Sequence, residues 1–219
     1  KIPSILVMFQ GIFSQAWTMS AVQGYDKDDK NGFFTRMYQS YNLCMVLVCS
    51  VLIMLSRVMA KVLYANDFYN AWKYVPFLLI ASVFGALSGY VGGIYAATKD
   101  TKIFAKTSIM GAVTNLLLTF VLVWKVGVMG AAIASPVSYG LIWYLRIKGI
   151  NKYMNMKINL FKDVFGYIIL FIQTVLLFIF PDNMLFFILQ LLAIVILLLL
   201  NKELLSIVII KITNKFIKR

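Results

Sequence analysis

The sequence predicts an all-α integral membrane fold, seven transmembrane helices and a C-terminal interfacial amphipathic helix, on three observations. Of 219 residues, 62% are apolar and 13% charged, about half the charged share of a soluble domain. The mean hydropathy is +0.86. The apolar residues fall into runs near the roughly 20 residues that cross a hydrocarbon core, each bounded by charge or by helix-stopping residues.

The first run, 4–23, opens behind Lys1-Ile2-Pro3 and carries Gln10, Ser14, Trp17 and Ala21 at i, i+4, i+7 and i+11. Lipid offers no hydrogen-bond partner, so such a stripe faces protein or water, as interhelical glue or as a cavity wall. A polar break with Asp26, Lys27, Asp28, Asp29 and Lys30 leads to the second run, 37–56. Its Cys44 and Cys49 stand five apart, neither a redox nor a metal spacing, and read as core thiols. The third run, 74–97, places Ala81, Gly85, Gly89, Gly93 and Ala97 four apart, a small-residue seam that lets another backbone approach closely. Lys99-Asp100-Thr101-Lys102 forms a polar turn before the fourth run, 103–124, and Lys125-Val126-Gly127 a tight reversal before the fifth, 128–145. The fifth starts on a second small-residue seam, Gly130, Ala131, Ala132 and Ala134. The sixth, 164–180, and seventh, 184–200, are separated by Pro181-Asp182-Asn183. Residues 204–219 place Lys211, Lys215 and Lys218 on one helical face, the pattern of a helix lying on anionic lipid headgroups.

Lys and Arg outnumber Asp and Glu by 21 to eight, a net charge of +13. Alternate loops share them unequally. Lys27, Lys30 and Arg36, then Lys99, Lys102 and Lys106, then Arg146, Lys148, Lys152, Lys157 and Lys162, then Lys202, Lys211, Lys215, Lys218 and Arg219 fall on one side. Only Lys1, Arg57, Lys61, Lys73 and Lys125 fall on the other. The richer side and the C-terminus are therefore expected in the cytoplasm, with Lys1 outside. With no initiator Met and no signal pattern, the chain reads as the C-terminal part of a longer protein, an odd number of spans preceding it.

The same counts exclude several functions. There is no His, hence no Ser-His-Asp system, no His-bearing zinc site and no imidazole relay. All eight acidic residues fall in loops or at the ends of runs, leaving no intramembrane carboxylate for a proton or sodium ion and no facing pair for an aspartyl protease or glycosidase. The expectation is a protein that is not an enzyme, takes no cofactor or metal, and binds no nucleic acid, because topology accounts for most of the basic charge. What topology leaves over are cations close to or inside a run. A cation there costs roughly 2.5–3.5 kcal/mol unless it snorkels or faces a wet cavity, and a cavity lined by several selects phosphate-bearing substrates.

Several stretches together resemble the oligosaccharide flippases of the polysaccharide-biosynthesis (Wzx-like) family, members of the MOP superfamily that also holds the MATE exporters. They are Lys1-Ile2-Pro3-Ser4 before Trp17-Thr18-Met19-Ser20-Ala21, residues 63–76 around Asn70-Ala71-Trp72-Lys73, Gly93-Ile94-Tyr95-Ala96-Ala97 through Lys102, Gly111-Ala112-Val113-Thr114-Asn115, and residues 127–134 with Ser138-Tyr139 and Arg146 after them. The resemblance covers 1–146, a five-span core of the C-terminal lobe; 147–203 follow as two further spans and 204–219 as the basic tail. It implies helices eight to fourteen of a two-lobed, MATE-like transporter in the bacterial cytoplasmic membrane, whose partner is the missing N-terminal lobe. The implied activity is flipping an undecaprenyl-pyrophosphate-linked oligosaccharide to the outer leaflet by alternating access, for capsule, exopolysaccharide or O-antigen synthesis. Arg57, Lys61 and Lys106 are the candidates for attracting the pyrophosphate, and Gln10, Ser14 and Trp17 for the polar cavity wall. The alternatives are a lipid II flippase, a MATE-type exporter, and a polytopic polymerase of lipid-linked glycans.

Overall fold

Each apolar run becomes a helix, because a backbone crossing lipid must satisfy its hydrogen bonds internally. In the computed structural model, which describes residues 1–64, 66–180, 182–202 and 206, the order is α1 (Ile2–Gln23), α2 (Phe33–Leu63), a 3-10 helix (Asn66–Lys73), α3 (Val75–Ala97), α4 (Thr101–Val126), α5 (Val128–Ile150), α6 (Leu160–Ile179) and α7 (Met184–Leu200). No strand occurs among the described residues. The expected amphipathic helix at 204–219 lies, but for Ser206, outside them. Helices α1 to α6 are long and apolar enough to cross a membrane, the signature of a multi-pass membrane protein. Helix α7 is as apolar but has 17 residues, about 26 Å at 1.5 Å per residue.

Helix α2 has 31 residues and outruns its apolar run at both ends. Charge bounds a hydropathy window but does not stop a helix. Backbone geometry does: Gly32 precedes α2 at φ 60°, and Tyr64 leaves it extended at φ −110°, ψ 125°. Arg57 and Lys61 are therefore helical residues. The tight reversal between α4 and α5 is a single residue, Gly127, at φ 63° and ψ −150°, where a side chain would be strained. Side-chain caps begin α4, α6 and α7: Asp100, Asn159 and Asn183 accept from the backbone N–H of Lys102, Lys162 and Phe186.

Helix α3 is the centre, with 72% of its most apolar window buried. Helices α1, α2 and α5 pack directly on it, α4 packs on α5, α6 on α2, and α7 on α6. The small-residue seams serve these contacts. A Cβ on Gly93 would lie 2.8 Å from Trp17 Nε1, and one on Gly130 would collide with the Leu122 backbone of α4. Between α1, α2 and α3 an aromatic stack forms: Phe13 lies 3.8 Å from Tyr41, and Trp17 4.0 Å from Tyr90, ring centre to ring centre.

At one end of the bundle three loops are knitted together. The Asn155 N–H donates to the Lys27 carbonyl (2.8 Å), Tyr25 Oη to the Tyr153 carbonyl (2.5 Å), and Tyr153 Oη to Asp100 (2.5 Å). Loops 24–32, 98–100 and 151–159 thus share one face.

Two carboxylates at the ends of runs are held by neighbouring groups. Asp29 is 8% exposed and accepts from the Phe34 and Thr35 N–H groups at the start of α2. Asp163, in the first turn of α6, accepts from Tyr38 Oη (3.1 Å) and Asn42 Nδ2 (2.8 Å) of α2, while Tyr167 Oη donates to Asn42 Oδ1 and Trp143 Nε1 to Tyr38 Oη. Both residues stand at helix ends in the chain. Tyr38 and Asn42, inside the apolar run of α2, lie beside the first turn of α6 and hold the Asp163 carboxyl.

Candidate functional site

Helices α1 and α4 flank a face made by α3 and α5, and over that face lies an open cavity of about 800 Å³. Helix α1 contributes Gln10; α3 Gly85, Ser88 and Gly89; α4 Phe104, Ser108, Gly111, Ala112, Asn115 and Leu116; α5 Ser135, Ser138, Tyr139, Ile142 and Arg146. The small residues of α3 open the space: Gly89 has no Cβ to meet the Gln10 amide, and Gly85 lies under the Tyr139 ring.

Arg146 forms the floor and is 4% exposed. Its Nε donates to Thr107 Oγ1 (3.1 Å), Nη1 to the Ser88 carbonyl (2.8 Å), and Nη2 to Ser108 Oγ (2.9 Å) and the Phe104 carbonyl (3.5 Å). The guanidinium also sits 4.1 Å from the centre of the Phe104 ring. Every acceptor is neutral. Of the five N–H groups of an arginine, the second on Nη1 has no acceptor among the described residues, and no carboxylate there pairs with the charge. Ser88, 3% exposed, adds an unpartnered hydroxyl at the residue whose carbonyl Nη1 already holds. A buried cation costs several kcal/mol unless something neutralises it. The Gln10 and Asn115 amides and the Tyr139 hydroxyl line the same cavity as this guanidinium.

The sequence candidates separate in space. Gln10 lines the cavity. Ser14 is half-buried on α1, and its carbonyl accepts from Thr18 Oγ1. Trp17 is 3% exposed and donates from Nε1 to the Tyr90 carbonyl at 2.8 Å, an interhelical tie. Arg57 and Lys61 come together at Asp182, 2.8 and 3.5 Å away. Arg57 also donates to the carbonyls of Phe180 and Leu177 and lies 4.5 Å from the Trp72 ring centre, clamping α2 to the end of α6. Lys106 is exposed on α4. None of these three cations lines the cavity.

Arg146 is the residue that charge counting absorbs into topology. A signal for it exists: Ser135, Ser138, Ile142 and Arg146, spaced like the polar stripe of α1, put two hydroxyls and a cation on one face of α5. No protein-family model, no curated protein and no solved structure matches the chain.

Proposed function

We propose that the chain is one lobe of a membrane transporter that carries an anionic, hydroxyl-rich lipid across the bilayer, the C-terminal lobe of a lipid-linked oligosaccharide flippase of the MOP superfamily. The observation that carries this reading is Arg146, a buried cation without a carboxylate partner among the described residues, at the floor of an open cavity. A pyrophosphate satisfies that floor by taking the free N–H of Nη1 and the Ser88 hydroxyl, and by neutralising the charge. Amide and hydroxyl groups at Gln10, Asn115 and Tyr139 suit a sugar. The seven spans, the two-lobe arrangement and the cytoplasmic placement of the C-terminus belong to the same proposal.

Transport follows from the openness of the cavity on this lobe and its closure by a second lobe, with access alternating between the two membrane faces. Replacing Arg146 by Gln in the protein as expressed in its cell should abolish glycan export and leave lipid-linked repeat units on the cytoplasmic face, at unchanged membrane abundance. Arg146→Lys keeps the charge but loses the planar fork and should retain part of the export. Normal export by Arg146→Gln overturns the reading. Reversing the charges of Arg57, Lys61 and Lys106 together asks separately whether those cations attract the substrate.

A further inference from the structure

At the basic end of the bundle a second hollow, about 460 Å³, opens between the turn that leads into α2, the first residues of α2, and the segment that leads into α6. Three exposed cations line it: Lys30 before α2, Arg36 in its first turn, and Lys157 before α6. Their backbones are held. Met154 and Met156 are buried on either side of Asn155, the Asn155 N–H donates to the Lys27 carbonyl, and the Lys157 N–H donates to Thr35 Oγ1 at 3.2 Å. The alternation leaves Asn155 and Lys157 exposed, and both line the hollow.

The same turn is rich in carboxylates, yet their oxygens are engaged by other donors. Asp26 accepts from the backbone N–H groups of Asp28 and Lys30, Asp29 from those of Phe34 and Thr35 and from Thr35 Oγ1, and Asp28 from Asn155 Nδ2. Among the described residues ion pairs form only at Asp182, so none of the three cations has a carboxylate at ion-pair distance. Arg36 Nη2 donates to the Asn31 carbonyl, and its Nε and Nη1 have no acceptor among the described residues.

We infer that this hollow binds an anionic phospholipid, whose headgroup phosphate lies between Arg36, Lys30 and Lys157. Topology explains why cations gather on this side. It does not explain three of them around one hollow while the carboxylates beside them are turned to N–H and O–H donors. The three cations against Asp28 and Asp29 leave the lining one positive charge, the complement of one phosphodiester. The depth also fits a lipid. Helices α2 and α6 begin at Phe33 and Leu160, so the hollow stands just outside two apolar helices, at headgroup level, and Phe33 and Phe161 are exposed in their first turns. Basic pockets between membrane helices take phosphorylated headgroups in this way. The site shares no residue with the Arg146 cavity and does not depend on what that cavity carries.

The test measures lipid retained by the purified full chain in native mass spectrometry, with phosphatidylglycerol and phosphatidylcholine offered in equal amounts. The wild type should keep one phosphatidylglycerol about fivefold more readily than one phosphatidylcholine. A basic residue near an anionic headgroup is worth about fivefold in binding, so Arg36→Gln and Lys157→Gln should each reduce that retention by about this factor. Asp28→Asn, which removes a negative charge from the lining, should raise it. Lys102→Gln and Lys148→Gln, exposed but outside the hollow, should leave it unchanged. Equal losses in all four lysine and arginine variants show diffuse attraction to surface charge and overturn the site. Loss in Arg146→Gln with none in Arg36→Gln or Lys157→Gln places the lipid in the larger cavity and overturns it too. If no phosphatidylglycerol preference appears and inorganic phosphate raises the thermal midpoint in phosphatidylcholine nanodiscs, the hollow serves a soluble phosphate and the lipid is overturned.

Discussion

At the scale of single residues, the fold depends on places where a side chain is absent or a hydrogen bond replaces solvent. Gly93 faces Trp17 so closely that a methyl group would stand 2.8 Å from the indole nitrogen, which is itself bonded to the Tyr90 carbonyl. Gly93→Ala must displace the indole or part α1 from α3, and overpacking of this kind costs about 1–3 kcal/mol. A lowered thermal midpoint in detergent, partly recovered by Trp17→Phe, is the expected result. Outside the spans, the Tyr153 hydroxyl donates to Asp100, and that bond is the main reason the carboxyl lies below its ordinary 3.8, with the Lys102 N–H adding to it. A carboxyl held below its unfolded value contributes stability above pH 3.8, lost as pH falls through the lower folded value. Acid unfolding should therefore show a component in that window that Tyr153→Phe reduces. The polar stripe of α1 was legible from spacing, and Gln10 does reach the cavity. Arg146 had only the Ser135 and Ser138 hydroxyls on its own face of α5 to mark it, because a cation near the end of an apolar run has the same appearance in sequence whether it snorkels to headgroups or turns inward. Only its neighbours on α3 and α4, Ser88, Thr107 and Ser108, decide between the two.

At the scale of elements, existence was legible and extent was not. Each apolar run is a helix, but α2 overruns its own by ignoring charge, and the overrun gives the α6–α7 pair its attachment through Arg57. The pair is also joined internally. Gln173 Nε2 donates to Gln190 Oε1 at 2.8 Å, Gln190 Nε2 donates to the Gln173 carbonyl at 3.0 Å, and both residues are fully buried. Hydrogen bonds between membrane helices are worth about 0.6–2 kcal/mol, whereas a buried amide without its partner costs about 1–3 kcal/mol. Gln173→Leu and Gln190→Leu should each destabilise the protein, and the double variant should be less damaged than the sum of the two. Additive losses in a double-mutant cycle of unfolding free energies would show that the pair is not coupled. Arg57 offers a contrast at the same pair of helices. Its carbonyl acceptors on Phe180 and Leu177 were invisible in sequence, since they belong to a helix end 120 and 123 residues away.

At the scale of the whole molecule, the unequal sharing of 21 basic residues now meets an independent geometric fact. The loops that charge counting assigns to one side, 24–32, 98–100 and 151–159, are hydrogen-bonded to one another. Their grouping does not depend on charge, so the two arguments agree on which loops belong together, while the direction of the bundle across the membrane rests on charge alone. Cysteine labelling separates these points. In a background with Cys44 and Cys49 replaced by Ala, single cysteines at the exposed positions Lys30, Lys99 and Asn151 should resist a membrane-impermeant maleimide applied to intact cells. Those at Asn70 and Lys125 should react. The reverse pattern would keep the grouping and invert the bundle, placing the Arg146 end of the cavity on the outer face. Lys202, just past α7, carries the question of the seventh span. Seventeen residues give about 26 Å, a little under the hydrocarbon thickness of about 30 Å. Local thinning or snorkelling at the ends absorbs such a mismatch for fractions of a kcal/mol per Å. A cysteine at Lys202 should therefore be protected like one at Lys30. If it reacts like one at Asn70, α7 turns back within the bilayer, and the chain crosses six times.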